Sequence, residues 1–236
     1  MSSLLSTANL TKSFGGITAV DDLNIEIHDG ELVGLIGPNG AGKSTTLNLI
    51  TGFLSPTSGT IRFDGDDVTK GKPHDLSSRG IGRTFQISKP FGRLSVFENM
   101  LVPNVPVGPA EQEARARELL SELNLDAVVE NRADALSGGQ KKLLELARVL
   151  MLEPDLILLD EPAAGVNPAL MDDIMADIQR INDRGTALVV IEHDMTVIRE
   201  LCERVIVMNA GHKVMSGTFD EIQADERVRE AYLGGA

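Results

Sequence analysis

The stretch Gly37-Pro38-Asn39-Gly40-Ala41-Gly42-Lys43-Ser44-Thr45 constrains this chain more than any other. It satisfies G-x-x-x-x-G-K-[ST] at every fixed position. Before it stands Leu32-Val33-Gly34-Leu35-Ile36, an apolar run of strand length, and after it Thr46 to Ile50 reads as the opening of a helix. Glycines let such a loop curl until several main-chain N–H groups face one anion, and the helix N-terminus adds a partial positive charge. Lys43 is expected along the β- and γ-phosphates of a nucleotide, with the Ser44 hydroxyl as a Mg2+ ligand.

A second signal lies far downstream. Leu156-Ile157-Leu158-Leu159 is an apolar run that ends in Asp160-Glu161. Ligands collect at the carboxyl ends of the strands of an open parallel sheet, so this acidic pair is well placed for a metal nucleotide. Asp160 is expected to hold Mg2+ through water, and Glu161 to polarise the attacking water as a general base. A third signal, Leu136-Ser137-Gly138-Gly139-Gln140, precedes a long helical stretch from Lys141 to Met151. A serine and two glycines at a helix start form another anion site. One nucleotide does not need two phosphate sites in one chain. The second makes sense if it closes on the nucleotide held by another copy.

Between these signals the pattern is α/β. Residues 4–36 read as a β-rich opening, with period-two alternation over Leu23 to Ile27, a turn at Asp29-Gly30 and an expected loop at Phe14-Gly15-Gly16. Thr60 to Phe63 and Ile81 to Phe85 read as further strands. Residues 88–135 then carry Pro90, Pro103, Pro106 and Pro109, followed by a helix over Ala110 to Leu123 that puts Ala116, Leu119, Leu120 and Leu123 on one face. From Pro154 the order is strand, helix (Met171–Ile181), strand (Thr186–Ile191), helix (Thr196–Leu201) and strand (Val205–Met208), with short helices from Asp220 on. Continuous apolar strands alternating with helices predict a mainly parallel sheet covered on both faces.

Composition narrows the partners. With 236 residues and a formal net charge of −13, the chain is a poor candidate for sequence-independent binding to nucleic acid or to anionic lipid. Membrane association is therefore expected to run through a protein. Cys202 is the only cysteine, which excludes an intramolecular disulfide and predicts a half-buried reduced thiol. The opening Met1-Ser2-Ser3-Leu4-Leu5 lacks the features of a signal peptide, and no apolar run approaches membrane-spanning length. These features predict a cytoplasmic protein.

With Gly37–Thr45, Gln86, Leu136–Gln140, Leu156–Glu161 and His193 in this order, the chain resembles an ABC transporter ATP-binding subunit along essentially its whole length. The resemblance implies one ABC ATPase domain over 1–236, with a P-loop NTPase core from 1–87 and 150–236 and a small α-helical subdomain, 88–149, bearing the signature loop. It implies a head-to-tail dimer, with itself or with a similar subunit, in which two ATP molecules are each held between one subunit's phosphate loop and the other's signature loop, Ser137, Gly138, Gly139 and Gln140. Glu161, His193, Gln86 and Lys43 take the catalytic roles. His193 resembles the switch histidine that contacts the γ-phosphate, and Gln86 the glutamine that reaches metal and water from the edge of the helical subdomain, where a transmembrane permease docks. The metal set is then Ser44, Gln86 and Asp160. Phe14 resembles the aromatic that stacks on adenine, with core packing as its alternative, and Val20 is a further expected nucleotide contact. His28, His74 and His212 match no motif and are expected to be surface or satisfied residues.

The loop after Glu161-Pro162 departs from the family pattern, because Asn167 stands where Asp is common. Arg83-Thr84-Phe85-Gln86, Gly165-Val166-Asn167-Pro168, Glu192-His193-Asp194-Met195 and the ending Arg229-Glu230-Ala231-Tyr232-Leu233-Gly234 resemble the branched-chain amino acid importer subfamily. That implies an ATPase on the cytoplasmic face of the inner membrane, working with permease subunits and indirectly with a solute-binding protein. Lipopolysaccharide-export ATPases share several of these strings. A soluble ABC ATPase, such as an iron–sulfur assembly component, shares the nucleotide motifs. Leu136–Gln140 disfavours an unrelated phosphate-loop GTPase, and the acidic balance disfavours a DNA-repair or translation ATPase.

Overall fold

The apolar alternation of each buried strand sends its side chains into two separate cores, and this organises the molecule. The computed structural model describes residues 3–233, without the side chains of residues 231–233. The opening Met1-Ser2 and the end of the Arg229–Gly234 string lie outside the described residues.

The first strands are β1 (Ser3–Phe14), β2 (Ile17–Leu23) and β3 (Glu26–His28), followed by β4 (Leu32–Ile36) and α1 (Lys43–Ile50). Then come β5 (Ser58–Phe63), β6 (Asp66–Asp67), α2 (Pro73–Ser78) and β7 (Ile81–Arg83). Helices α3 (Val96–Met100), α4 (Pro109–Glu122) and α5 (Gly138–Leu150) lead to β8 (Leu156–Asp160), α6 (Pro168–Asp183), β9 (Ala187–Ile191) and α7 (Met195–Leu201). The chain closes with β10 (Arg204–Asn209), β11 (His212–Gly217), α8 (Phe219–Ala224) and α9 (Glu226–Leu233).

Strands β1, β2, β3, β5 and β6 form an antiparallel sheet. The other sheet runs in the order β11-β10-β4-β9-β8-β7, parallel from β10 to β7 with β11 antiparallel at one edge. In β8, Leu156 and Leu158 enter the core shared with α1 and the antiparallel sheet. Ile157 and Leu159 enter the core shared with α5, α6, α7 and the helices that follow β7. Strand β9 does the same, with Val189 on one side and Leu188 and Val190 on the other. This is the expected parallel sheet with both faces covered. The face predicted for α4 is also found, since Ala116, Leu119, Leu120 and Leu123 are all buried.

Several local expectations need correction. The alternating stretch Leu23 to Ile27 is not one strand. It breaks at Asn24-Ile25 because β1 pairs with β2 at one end and with β3 at the other, and Thr7 bridges the break by donating to the Leu23 carbonyl at 2.8 Å. Phe14 ends β1 rather than lying in a loop, and only Gly15-Gly16 turns into β2. Strand β7 stops at Arg83, two residues short of the expected Phe85. Strand β11, absent from the sequence reading, is hairpinned to β10 through Ala210-Gly211, where both residues have positive φ, as a tight hairpin turn requires. Cys202 is buried, at 7% exposure, rather than half-buried, and burial pushes its thiol up to about 12.

Candidate functional site

Four neighbouring parallel strands, β4, β9, β8 and β7, end at one edge of the sheet, and each releases a candidate residue there. After β4 the loop 37–42 turns into α1. Gly42 is the residue that makes this turn possible. Its φ is 101°, and a Cβ built on it would lie 2.4 Å from the Ala19 carbonyl oxygen. The loop is braced from outside by the Gly211 N–H, which donates to the Ala41 carbonyl at 3.0 Å. Lys43 is buried, and its ammonium donates to the loop's own carbonyls, Gly37 at 2.6 Å and Pro38 at 3.2 Å. Burial lowers the ammonium's pKa, and the nearby Glu161 and Asp160 oppose that shift. Asn39, Gly40 and Ser44 are exposed at the mouth of the loop. The cationic head is thus already seated where an incoming phosphate could take over from the two carbonyls.

At the end of β8, Asp160 is buried, and its Oδ2 accepts from Arg83 at 3.3 Å. Burial raises this carboxyl's pKa, with Arg83 and Lys43 acting in the opposite direction. Arg83 also donates to Asn48 Oδ1 at 2.6 Å and Thr51 Oγ1 at 3.2 Å. No group of three or more His, Cys, Asp or Glu suited to a metal occurs among the described residues. A hard cation held by Ser44 and Asp160 would therefore need phosphate oxygens to complete its shell, which is the usual way Mg2+ is bound beside a nucleotide. The donor set fits that role.

Glu161 is where three expectations meet. One carboxylate oxygen accepts from Gln86 Nε2 at 2.9 Å, and the other lies 3.0 Å from His193 Nε2. Gln86 leaves the end of β7, and His193 the end of β9. Glu161 itself has a φ of 53°, in the left-handed region that residues with side chains seldom occupy. Its peptide is tied down by its N–H donating to the Ile191 carbonyl at 2.9 Å and by its own carbonyl accepting from Lys142 Nζ.

The signature-like loop is a helix cap as well as a candidate anion site. Ser137 Oγ accepts from the Gln140 N–H at 3.3 Å, and Gln140 Oε1 accepts from the Ser137 N–H at 3.0 Å, a reciprocal capping box on α5. The two glycines differ. Gly138 is exposed with open space where a Cβ would stand, whereas a Cβ on Gly139 would lie 1.9 Å from Leu170 Cδ2 on α6. Gly138 can face a ligand, and Gly139 is there for packing.

Two adenine-site expectations separate. Phe14 is 47% exposed, so the core alternative is overturned, and Lys12 Nζ lies 5.0 Å from its ring centroid. Val20, expected to meet the nucleotide, is 0% exposed and packed in the core, so its side chain offers no surface. Asn167 is the N-cap of α6, accepting from the Leu170 N–H at 3.0 Å, a bond that the more usual Asp would make equally well with added charge. His74 and His212 are exposed beside Asp75 and Asp21, and the His28 N–H donates to Glu31.

Other residues of the site went unread in the sequence. Glu192 is buried, and its carboxylate accepts from the Ala163 N–H at 2.7 Å and the His193 N–H at 3.2 Å, bracing the loop after Glu161. Glu145 accepts from the Phe85 N–H at 2.9 Å and the Ser88 hydroxyl at 2.6 Å. A carboxylate inside the run Leu143-Leu144-Glu145-Leu146-Ala147 was the available signal. Beside it, a groove of about 710 Å3 is lined by Arg83, Phe85, Ile87, Val102 and Pro103 among others. Phe53, Phe85, Ile87, Phe91 and Val102 are large apolar side chains that stay exposed.

Comparison with known proteins gives a consistent picture. Residues 20–164 match the ABC transporter family, and residues 212–236 match the branched-chain amino acid ATP-binding cassette transporter family. The lipopolysaccharide export system ATP-binding protein LptB of Haemophilus influenzae is 36% identical over 235 residues, 98% of each chain. The high-affinity branched-chain amino acid transport ATP-binding protein BraF of Pseudomonas aeruginosa is 37% identical over 251 residues, 99% of this chain and 98% of that protein. A crystal structure of a nucleotide-free ATP-binding cassette from an ABC transporter superposes with a TM-score of 0.90 at 33% identity, covering 98% of this chain and 99% of that one. A dimeric post-hydrolysis cassette, MJ0796 bound to ADP and Pi, superposes with a TM-score of 0.82 at 29% identity over 91% of this chain and 98% of that one.

Proposed function

The chain belongs to the ABC transporter family as an ATP-binding, ATP-hydrolysing subunit, and on that premise we propose that it powers a membrane permease for branched-chain or other hydrophobic amino acids or amides. The observation that carries the mechanism is the meeting of Gln86, Glu161 and His193 on one carboxylate at the sheet edge that also holds the phosphate loop. In this reading the phosphate loop and Lys43 take the β- and γ-phosphates, and Glu161 accepts the proton of the attacking water. His193 contacts the γ-phosphate and orients the attacking water, and Gln86 carries nucleotide state toward the helices after β7. Ser44, Gln86 and Asp160 would hold Mg2+, and the ion would neutralise charge on the phosphates.

The protein's contribution is positioning and charge stabilisation of a loose phosphoryl transfer. Two subunits, identical or similar, would close head to tail, so that Ser137 and Gly138 of each complete the other's site. The dimeric cassette among the structural relatives supports this arrangement. The apolar groove beside Gln86, with exposed Phe85, Ile87 and Val102, supports permease docking there. No helix among the described residues is long and apolar enough to cross a membrane, so the chain would sit peripherally on the cytoplasmic face through that permease. The match of residues 212–236 favours the amino acid substrate class over lipopolysaccharide export.

One experiment tests the chemistry. Glu161→Gln should keep ATP binding and nearly abolish turnover, whereas Lys43→Ala should weaken binding and turnover together. Normal hydrolysis by Glu161→Gln would remove Glu161 as the base. The transport reading is tested by affinity purification from detergent-solubilised membranes. A permease recovered with a solute-binding protein supports amino acid import, and lipopolysaccharide-export components would replace that substrate class.

A further inference from the structure

Lys142 and Glu145 stand three residues apart on α5, so they share one face of the helix. Both turn toward the catalytic edge. Lys142 Nζ donates to the main-chain carbonyl of Glu161. Glu145 anchors the residues on either side of Gln86, through the Phe85 N–H at 2.9 Å and the Ser88 hydroxyl at 2.6 Å. The helix that starts at the signature loop therefore holds, from behind, the Glu161 peptide and the segment that carries Gln86.

The Lys142 contact addresses a specific difficulty. A left-handed φ of 53° at a residue with a side chain is intrinsically unfavourable, and such a peptide persists only when its surroundings over-determine it. The Glu161 N–H is held by Ile191, and its carbonyl is held by Lys142 and, at 3.2 Å, by the Ala164 N–H. Lys142 is the one of these anchors that arrives from α5. Its ammonium also faces the carboxylates of Glu192, Glu161, Glu145 and Asp160, which oppose the loss of its charge on burial.

We propose that Lys142 is a positioning residue for hydrolysis, holding the Glu161 peptide in its strained conformation so that the carboxylate is aimed at the attacking water. This rests on the reading of Glu161 as the general base. Because Lys142 grips main chain and lies outside the phosphate loop, its loss should lower kcat and spare nucleotide affinity.

The test compares wild type, Lys142→Met and Lys142→Arg by turnover at saturating MgATP, by titration with a fluorescent ATP analogue and by thermal melting. The expected result for Lys142→Met is a kcat lower by about tenfold or more, in line with the cost of misplacing a reacting group, with analogue affinity unchanged. Lys142→Arg, which can still donate to a carbonyl, should recover most of the turnover. If Lys142→Met melts early, Lys142→Gln carries the same comparison. A Lys142→Met kcat within about twofold of wild type overturns the proposal, as does a parallel loss of affinity and kcat or an absence of rescue by arginine. Wild-type turnover that survives Glu161→Gln overturns the base assignment instead, so the two failures are distinguishable.

Discussion

Around Glu161 the acidic strand end was legible in the sequence, and its supports were not. Asp160-Glu161 after an apolar run announces a strand end, and strand ends in a parallel sheet are where ligands gather. That Gln86 and His193 both reach the Glu161 carboxylate depends on β7, β8 and β9 lying side by side, which no local spacing encodes. The apolar run around Glu145 marks that carboxylate as buried, but what it and Glu192 hold depends on N–H partners far away in the chain. Cys202 carries a residue-scale prediction. Burial raises its thiol pKa to about 12, so the native thiol stays protonated at pH 8 and should react slowly with iodoacetamide, with fast labelling appearing only in denaturant. The raised value means that the related stability is present below the ordinary thiol pKa and is lost as pH rises through about 12. Rapid labelling of the folded protein would show that Cys202 is accessible.

Helix α5 illustrates how one element serves structure and chemistry together. Ser137 and Gln140 satisfy each other's N–H groups, so an anion-site motif is also a capping box. The sequence showed the serine and glycines but could not separate the two glycines, because only the approach of α6 distinguishes them. The contrast is testable by thermal melting of the isolated chain. Gly139→Ala should destabilise by about 1–3 kcal/mol, since its new methyl collides with Leu170, while Gly138→Ala should leave stability near wild type. Equal melting temperatures for the two variants would mean that α6 yields without cost. At the start of α6 the Asn167 side chain is committed to capping. The break between β2 and β3 went unread for a related reason, because alternation measures burial and not the strand partner.

For the whole molecule the decisive feature is that one parallel sheet separates two apolar cores. The phosphate loop belongs to both the sheet and α1, so a ligand that binds it stabilises the fold it is part of. ATP at about one hundred times its dissociation constant should add about 2.7 kcal/mol, which for a chain of this size is a rise in Tm of about 5–10 °C. The shift should be measured in Glu161→Gln to avoid hydrolysis, and Lys43→Ala should lose most of it at the same ATP concentration. A full shift in Lys43→Ala would place the nucleotide elsewhere.

The sequence alone determined the glycine-rich loop with its lysine, the acidic strand end, the helix that begins after Ser137 and the α/β class, because each depends on residues close together along the chain. It also carried the family resemblance, through the order of those motifs. Tertiary structure decided which residues share a site. Strand order brought Gln86, Glu161 and His193 together, helix packing turned Lys142 and Glu145 toward them, and burial removed Val20 from the nucleotide while leaving Phe14 exposed. Contacts between residues far apart in sequence arise only when the sheet forms and both of its faces are covered, and it is there that the Glu161 carboxylate acquires its partners.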